Sequence, residues 1–505
     1  MLNKIINLTV FFTGGAVLVL EVSATRTLSP HFGNTIFTVS SILSVVLGAL
    51  AIGYLCGGKL ADRSPHLSLF FGIIWLGGLT VLLMNITTKL FLDTWFSGLG
   101  NMLGPLLASL LLFFVPSLFL GMLSPFAIRL KSEQGQTQKI GSNSGEVFFF
   151  STAGSIVGSL MTGFLFIPNV GVSRIILLTG LSLLIVGSAG LFFFKFNKRY
   201  LISIIVLSFI LSGATLIFSE RPLIAGEIYH AEGTYERIAV ADNTPNFEGR
   251  RTLFLDKSAS SVIFLSDGSP LATLYAKYLE LGTLLEEEPE NILVLGGGGY
   301  AIPRYAKQLF PRAEIDVVEI EPRLFELSKK YFYLNDTSKI TNYVQDGRMF
   351  LANSQKKYDI IFIDVYSSFI SIPSHMTTIE FFALVKEHLS DKGMLLANVI
   401  GSLDHSNNRF FTAKIKTFSS IFPNTRIFAI SDPQSLEPQN FVFVATKKGE
   451  NNYIEIAAKQ SKSLFLSVVS SYEVERAKIN LDKAILLTDD FSPIEYLVAP
   501  LVALY

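Results

Sequence analysis

NILVLGGGGYAIPRYAKQLFPRAEIDVVEIEPRLFELSKK, Asn291–Lys330, reads as a strand, a glycine turn, a helix, a second strand and the start of another helix. Ile292–Leu295 is an apolar run too short for a buried helix and rich in branched side chains, which argues for a strand. Gly296, Gly297, Gly298 and Gly299 follow at once. A helix is expected to start near Ile302 or Pro303, where the missing N–H of a proline is not needed. The next apolar strand, Ile315–Ile320, carries Glu319 near its C-terminal end. Glycines let a backbone approach a ligand closely, and a helix N-terminus adds unpaired N–H groups. A carboxylate ending the second strand can take both hydroxyls of a ribose. Glu319 lies about 20 residues beyond the glycines, the spacing such sites use. The stretch predicts a nucleoside site in a doubly wound α/β sheet, bound by Gly296, Gly297, Gly298 and Glu319.

Half of the 505 residues are hydrophobic and 16% are charged, with a mean hydropathy of +0.46. That is too apolar for a purely soluble chain, so membrane spans are expected. The net charge is zero, which leaves no electrostatic footprint for nucleic acid. Cys56 is the single cysteine, so neither an internal disulfide nor a cysteine metal site can form, and no metal is expected.

Up to about Ser219 the chain is a series of apolar segments near the length a bilayer requires. Seven spans are placed near Leu8–Arg26, Phe37–Leu55, Leu67–Thr87, Leu103–Pro125, Val147–Ile167, Ser173–Phe194 and Leu201–Phe218. No small-residue cleavage site follows the first, which is therefore not read as a signal peptide. Gly154, Gly158 and Gly163 predict close helix packing in lipid. Lys and Arg gather at Lys4, Lys59/Arg63, Arg129/Lys131/Lys139 and Lys195/Lys198/Arg199, which places the N-terminus in the cytoplasm of a multi-pass cell-membrane protein. Seven crossings would then set the C-terminal half outside the cell, in conflict with the chemistry read from it. GYLCGGKLADR, Gly53–Arg63, resembles the loop after the second helix of major-facilitator transporters, and Asp62 with Arg63 is expected to form a charge latch. Glu21 and Arg26, charged near a helix end, are either functional groups or an ion pair.

Hydropathy drops near Ser219–Pro222, which divides the chain into a membrane region 1–221, a small β-domain plus helix 222–284 and an α/β nucleoside-binding domain 285–505. Ile228–Val262 alternates in short runs, predicting a small antiparallel sheet with turns at Asn243–Pro245 and Asp256–Lys257. Leu271–Leu285 has helical spacing and carries Tyr275 and Tyr278, both able to cover a ligand or to sit at a core edge. YVQDGR, Tyr343–Arg348, ends a third strand with Asp346 and Gly347, where Asp346 can accept from an adenine amino group. YDIIFID, Tyr358–Asp364, ends a fourth buried strand with an acid. Ligands in open α/β sheets sit beyond the carboxyl ends of the strands, so Asp364 is placed to take a proton from an attacking amine. Val365–Thr378 reads as a loop over the site, and His375 within it as a surface residue. Gly393–Val399, Asn424–Ile430 and Asn440–Thr446 complete a seven-stranded sheet, and the acids of Leu487–Glu495 read as helix or turn caps.

LGGGGYAIPR, VVEIEP, VQDGR, YDIIFIDVYSS and IPSHMTTIEFF form an ordered set that resembles the spermidine synthase (polyamine aminopropyltransferase) family, in the branch fused to membrane helices. The resemblance covers roughly residues 228 to 500. It implies a small β-domain, a seven-stranded methyltransferase-like (Rossmann-type) fold, and transfer of an aminopropyl group from decarboxylated S-adenosylmethionine to an amine. No permanently bound cofactor and no metal are implied. By position Glu319 would hold the ribose and Asp346 with Gly347 the adenine. Asp364 would orient and deprotonate the amine, with Tyr366 and Tyr275 as further catalytic candidates. Two positions depart from the pattern, which expects acids where Gly299 and Ser367 stand. The donor and a diamine are both cations, so these departures weaken the match to them.

The first reading is a membrane-anchored, spermidine-synthase-like transferase acting on a small-molecule amine, in a lipid bilayer, with no nucleic-acid partner and with homodimer formation open to it. Its rivals are an S-adenosylmethionine-dependent methyltransferase, and a non-catalytic polyamine or nucleoside sensor or transport-coupled protein.

Overall fold

Long apolar runs become long helices in the N-terminal part of the chain. The computed structural model describes residues 2–95, 100–134, 140–194, isolated positions between 203 and 213, 224–256, 258–366, 372–404, 406, 408–448 and 463–502. Two compact units divide it, Met1–Pro222 and Leu223–Tyr505. In the first run α1 (Leu2–Phe32), α2 (Ile36–Arg63), α3 (Leu67–Trp95), α4 (Gly100–Gly121), α5 (Leu123–Gln134), α6 (Ile140–Met161) and α7 (Val172–Phe193). Among the described residues, six helical stretches are long and apolar enough to cross a membrane: Leu2–Phe32, Ile36–Arg63, Leu67–Leu92, Met102–Glu133, Ile140–Val170 and Val172–Phe193. They coincide with the first six spans read from the sequence. The seventh, Leu201–Phe218, falls for the most part outside the described residues.

The helices pair as α1 with α6, α2 with α4 and α3 with α7. Lipid supplies no hydrophobic drive for such pairing, so close packing must. A Cβ added at Gly158 of α6 would come within 2.9 Å of the Gly15 Cα of α1. Any larger side chain there has to push the two backbones apart. Charge is matched inside the same unit. Lys131, 2% exposed, donates to Asn7 Oδ1 at 2.8 Å and to Glu146 Oε2 at 2.6 Å, which offsets the cost of burying its ammonium. Asp62 pairs with Arg129 of α5 at 3.4 Å, so the expected latch with Arg63 is replaced by one between two helices.

The second unit begins with an antiparallel sheet, β1 (Glu227–Glu232), β2 (Arg237–Thr244), β3 (Phe247–Leu255) and β4 (Ser258–Phe264), in chain order. Its turns fall where they were expected, with Asn243 at φ 51 and Asp256 at φ 54, a region polar residues tolerate better than most. A 3₁₀ segment, Leu274–Leu284, follows in place of the α-helix read from the spacing. Tyr278 in it is not a ligand cover: it is 2% exposed, and its hydroxyl donates to the Ala429 carbonyl at 2.8 Å within the core.

Seven strands form the main sheet: β5 (Asn291–Leu295), β6 (Glu314–Glu319), β7 (Ile340–Val344), β8 (Tyr358–Ile363), β9 (Leu389–Gly401), β10 (Arg426–Ala429) and β11 (Gln439–Thr446). Their order is β10-β11-β9-β8-β5-β6-β7. The strands from β9 to β7 are parallel, while β11 pairs antiparallel with β9 and the edge strand β10 antiparallel with β11. Period-two alternation divides each central strand between two cores. Leu293, Leu295, Ile361 and Ile363 enter one core with Phe381 and Phe418; Ile292, Val294, Ile360 and Phe362 enter the other with Tyr278 and Phe310. Helices α8 (Ala301–Leu309), α9 (Leu324–Tyr331), α10 (Gly347–Asn353), α11 (Ile379–His388), α12 (Arg409–Ile421) and α13 (Ile494–Val502) accompany the sheet. From β5 the chain proceeds outward to β6 and β7, then returns to pair β8 on the other side of β5. That reversal opens a crevice beyond the carboxyl ends of β5 and β8, the place where open α/β sheets bind ligands.

Candidate active site

Leu295 and Ile363 lie opposite each other at the ends of β5 and β8, so the glycine turn and Asp364 are neighbours. Gly296 has a φ of +94, and a Cβ on it would strike the Asp364 carbonyl oxygen. Only glycine serves both demands. The turn closes with Tyr300 left-handed at φ 58 before α8 starts, one residue earlier than expected.

Glu319 at the end of β6 is buried and reaches back into this turn. Its Oε2 accepts from Gly297 N at 2.8 Å and Gly298 N at 3.0 Å, and its Oε1 accepts from Glu321 N at 2.9 Å. Burial pushes its carboxyl above the usual range, and the backbone N–H donors oppose that rise. The expected ribose ligand thus also fastens the glycine turn. Glu321, two residues on, accepts from Thr234 N at 2.6 Å and so ties the small sheet to the larger one.

Asp364 is held by two side-chain donors, one on each oxygen. Tyr275 donates to its Oδ2 at 2.8 Å and Asn398 Nδ2 to its Oδ1 at 2.8 Å. Burial drives its carboxyl up to about 6, against the pull of those two donors, and the charge of Glu319 adds to the rise. Tyr275 is held far above its ordinary value, first by burial and then by the Asp364 charge, so it acts as a donor in this range. Tyr366, the third catalytic candidate, is committed elsewhere: its hydroxyl accepts from Ile400 N at 3.0 Å and donates to the Asn398 carbonyl at 3.3 Å. It positions β9 and thereby Asn398.

Asp346 caps α10, accepting from Met349 N at 3.0 Å through Oδ1, while Oδ2 pairs with His375 Nε2 at 2.8 Å. The His375 bond holds its carboxyl below the usual range. His375, read from sequence as a surface residue, therefore fastens the loop to the site while remaining half-exposed. Gly347 permits the approach of Met376, whose Cε would lie 2.8 Å from an added Cβ. A second clamp was also missed. Arg348 donates to both oxygens of Asp489, at 2.7 and 2.6 Å, and to the His375 carbonyl at 2.8 Å. Asp489, taken for a turn cap, instead anchors the far end of the chain to the site loop. Asn398 was missed as well. Its signal is an amide side chain inside the apolar run LLANVI.

Gly299, where the family pattern expects an acid, donates its N–H to Ser261 Oγ at 2.8 Å. A Cβ there would lie 2.8 Å from Ser261 Cβ and 3.2 Å from Phe332 Cδ1. The space for the missing acid is therefore filled. Gly299→Asp is expected to lower the thermal midpoint of the purified protein by several degrees, from about 1–3 kcal/mol of overpacking. A midpoint equal to wild type would show that the pocket can open for that side chain. Ser367, the other departure, lies outside the described residues. Among the described residues no group of His, Cys, Asp and Glu could hold a metal ion.

Residues 275–455 match the family model for the spermine/spermidine synthase domain. A polyamine aminopropyltransferase of Vibrio vulnificus is 27% identical over 227 residues, 43% of this chain and 73% of the relative. Polyamine aminopropyltransferase 2 of Aquifex aeolicus is 23% identical over 414 residues, 77% of this chain and 78% of the relative. That alignment is longer than the C-terminal unit, so it runs into the apolar helices. A solved structure of a probable spermidine synthase from Corynebacterium glutamicum covers 54% of this chain and 98% of its own, with 20% identity and a TM-score of 0.43.

Proposed function

We propose that this chain, whose C-terminal unit is spermidine-synthase-like, is a membrane-embedded transferase that moves an aminopropyl group from decarboxylated S-adenosylmethionine to an amine. The observation that carries this reading is Asp364. It is a half-buried carboxylate at the sheet's switch point, with one donor on each oxygen and lone pairs left for a third partner. Glu319 takes the ribose hydroxyls beside the glycine turn, and Asp346 with Gly347 borders the adenine. The acceptor nitrogen attacks the aminopropyl carbon bound to sulfur. The C–N bond forms as the C–S bond breaks, methylthioadenosine leaves as a neutral thioether, and the nitrogen gives a proton to Asp364. The sulfonium is already a good leaving group, so orientation and charge placement supply most of the acceleration.

The helices anchor this unit to a lipid bilayer, and the Lys/Arg bias of the loops puts the N-terminus in the cytoplasm. The test is incubation of the full-length detergent-purified protein with decarboxylated S-adenosylmethionine and a panel of amines, read by mass spectrometry. Methylthioadenosine released together with an aminopropylated amine is the expected result. Absence of both, with methylthioadenosine itself failing to bind in calorimetry, rejects the reading.

A further inference from the structure

The interior near Asp364 holds an amine that the transfer above does not use. A narrow cavity opens beside the carboxyl ends of β8 and β9, lined by Tyr366, Asn398, Thr377, Met376, Phe382 and Lys414 among others. Asn398 touches Asp364 directly, so the cavity lies one side chain away from the proposed reacting centre. Lys414 enters it from α12. The residue is 7% exposed, and its ammonium lies 4.8 Å from the centre of the Phe382 ring. Among the described residues no carboxylate, carbonyl or hydroxyl pairs with it, and it is the one charged group lining the cavity. Lys131 shows how this chain treats a buried ammonium that serves structure: it supplies both an amide and a carboxylate. A cation over an aromatic face gains something, yet less than burial of an unpaired ammonium costs.

We propose that Lys414 receives a carboxylate of the substrate, so that one of the two reactants is an amino-acid-type molecule rather than a purely cationic amine. This inference rests on the transferase reading, since it assigns a second group to the same site. One feature of the crevice agrees with it: Ser261 and Phe332 occupy the space where an acid for the donor's amine would stand at Gly299. A carboxylate placed against Lys414, with Asn398 as neighbouring donor, would gain a charge-assisted contact in a water-poor setting. Burial depresses the Lys414 ammonium to about 7, so an arriving carboxylate restores its charge and binding takes up a proton. Tyr366 is the other titratable group lining the cavity, and burial raises it far above this range.

The carboxylate has two sources, intact S-adenosylmethionine or an amino-acid acceptor, and matched pairs separate them. Full-length protein in detergent is titrated with S-adenosylmethionine and with its decarboxylated form. It is then titrated with ornithine and with putrescine in the presence of methylthioadenosine. In one pair the carboxylate-bearing member is expected to bind at least about tenfold more tightly. Lys414→Met, which keeps the volume and the apolar stem, is expected to erase that preference while leaving methylthioadenosine affinity unchanged. Repeating the wild-type titration in two buffers of different ionisation heat should show proton uptake near pH 7.5 for that member alone. An acceptor-pair preference makes the acceptor an amino acid and keeps the aminopropyl donor, whereas a donor-pair preference makes S-adenosylmethionine the donor in place of its decarboxylated form. No preference in either pair, a preference that survives Lys414→Met, or binding without proton uptake overturns the assignment and leaves the transferase reading standing. Failure of methylthioadenosine to bind overturns both.

Discussion

Asp364→Asn is expected to cut turnover by roughly 10²–10⁴-fold, the range that a positioned acid or base contributes. Methylthioadenosine affinity should stay unchanged, because the adenosyl half is assigned to Glu319 and Asp346. Asparagine fits the vacated space. Its carbonyl can accept from Asn398 Nδ2 and its amide can face the Tyr275 hydroxyl, which accepts as well as donates. What disappears is the charge that orients an ammonium and the site that receives its proton. The pH profile carries the same argument. The carboxyl titrates at about 6, and only its ionised form serves, so wild-type turnover should rise with pH through about 6 and then level. Stability runs the other way. The folded value lies above the ordinary aspartate value near 4, so the group favours the folded state below about pH 4 and loses that advantage as pH rises through 6. At neutral pH the buried charge costs on the order of 2–3 kcal/mol, and Asp364→Asn should therefore melt higher than wild type. A variant that keeps its turnover removes Asp364 from the mechanism. One that loses turnover and melts lower marks the residue as a structural support instead.

The strand-ending acids were legible because their signal is local. Glu319 and Asp364 each end an apolar run short enough to be a strand, Asp346 is marked instead by the Gly347 that follows it, and the sheet order then brings the ends of β5, β6 and β8 together. Six apolar helices were legible for the same reason, since length and hydropathy alone specify them. Partners across long separations were not. Asn398 lies 34 residues beyond Asp364 and Asp489 lies 141 beyond Arg348, and neither spacing has a periodicity to read. The 3₁₀ segment shares its apolar positions with an α-helix pattern, which hid that Tyr278 turns into the core while Tyr275 reaches Asp364. Gly299 was readable as a departure from a pattern, but its cause, the contact with Ser261 of the small sheet, exists only once the two sheets meet.

Glu319→Gln is expected to weaken methylthioadenosine and decarboxylated S-adenosylmethionine together, by about 10²–10⁴-fold, while the protein stays folded. Two ribose hydroxyls lose a charged acceptor, each such bond being worth about 1.5–3 kcal/mol. The substitution keeps the shape but cannot keep the geometry. Glutamate accepts at both oxygens, from the glycine turn on one side and from Glu321 N on the other. Glutamine has one accepting oxygen, so its amide must point a donor at a donor, either in the turn or at Glu321. The glycine turn is the softer of the two, since Gly296 and Gly298 sit at positive φ with no side chain to hold them. The loss should therefore appear as weaker binding with a small change in thermal midpoint, measured on one preparation by calorimetry and by melting. Burial already raises the Glu319 carboxyl, so wild-type affinity should fall on acidification as the acceptor becomes protonated, a trend absent in the variant. Unchanged affinity in Glu319→Gln would confine this residue to bracing the turn and would move the ribose to another partner in the crevice.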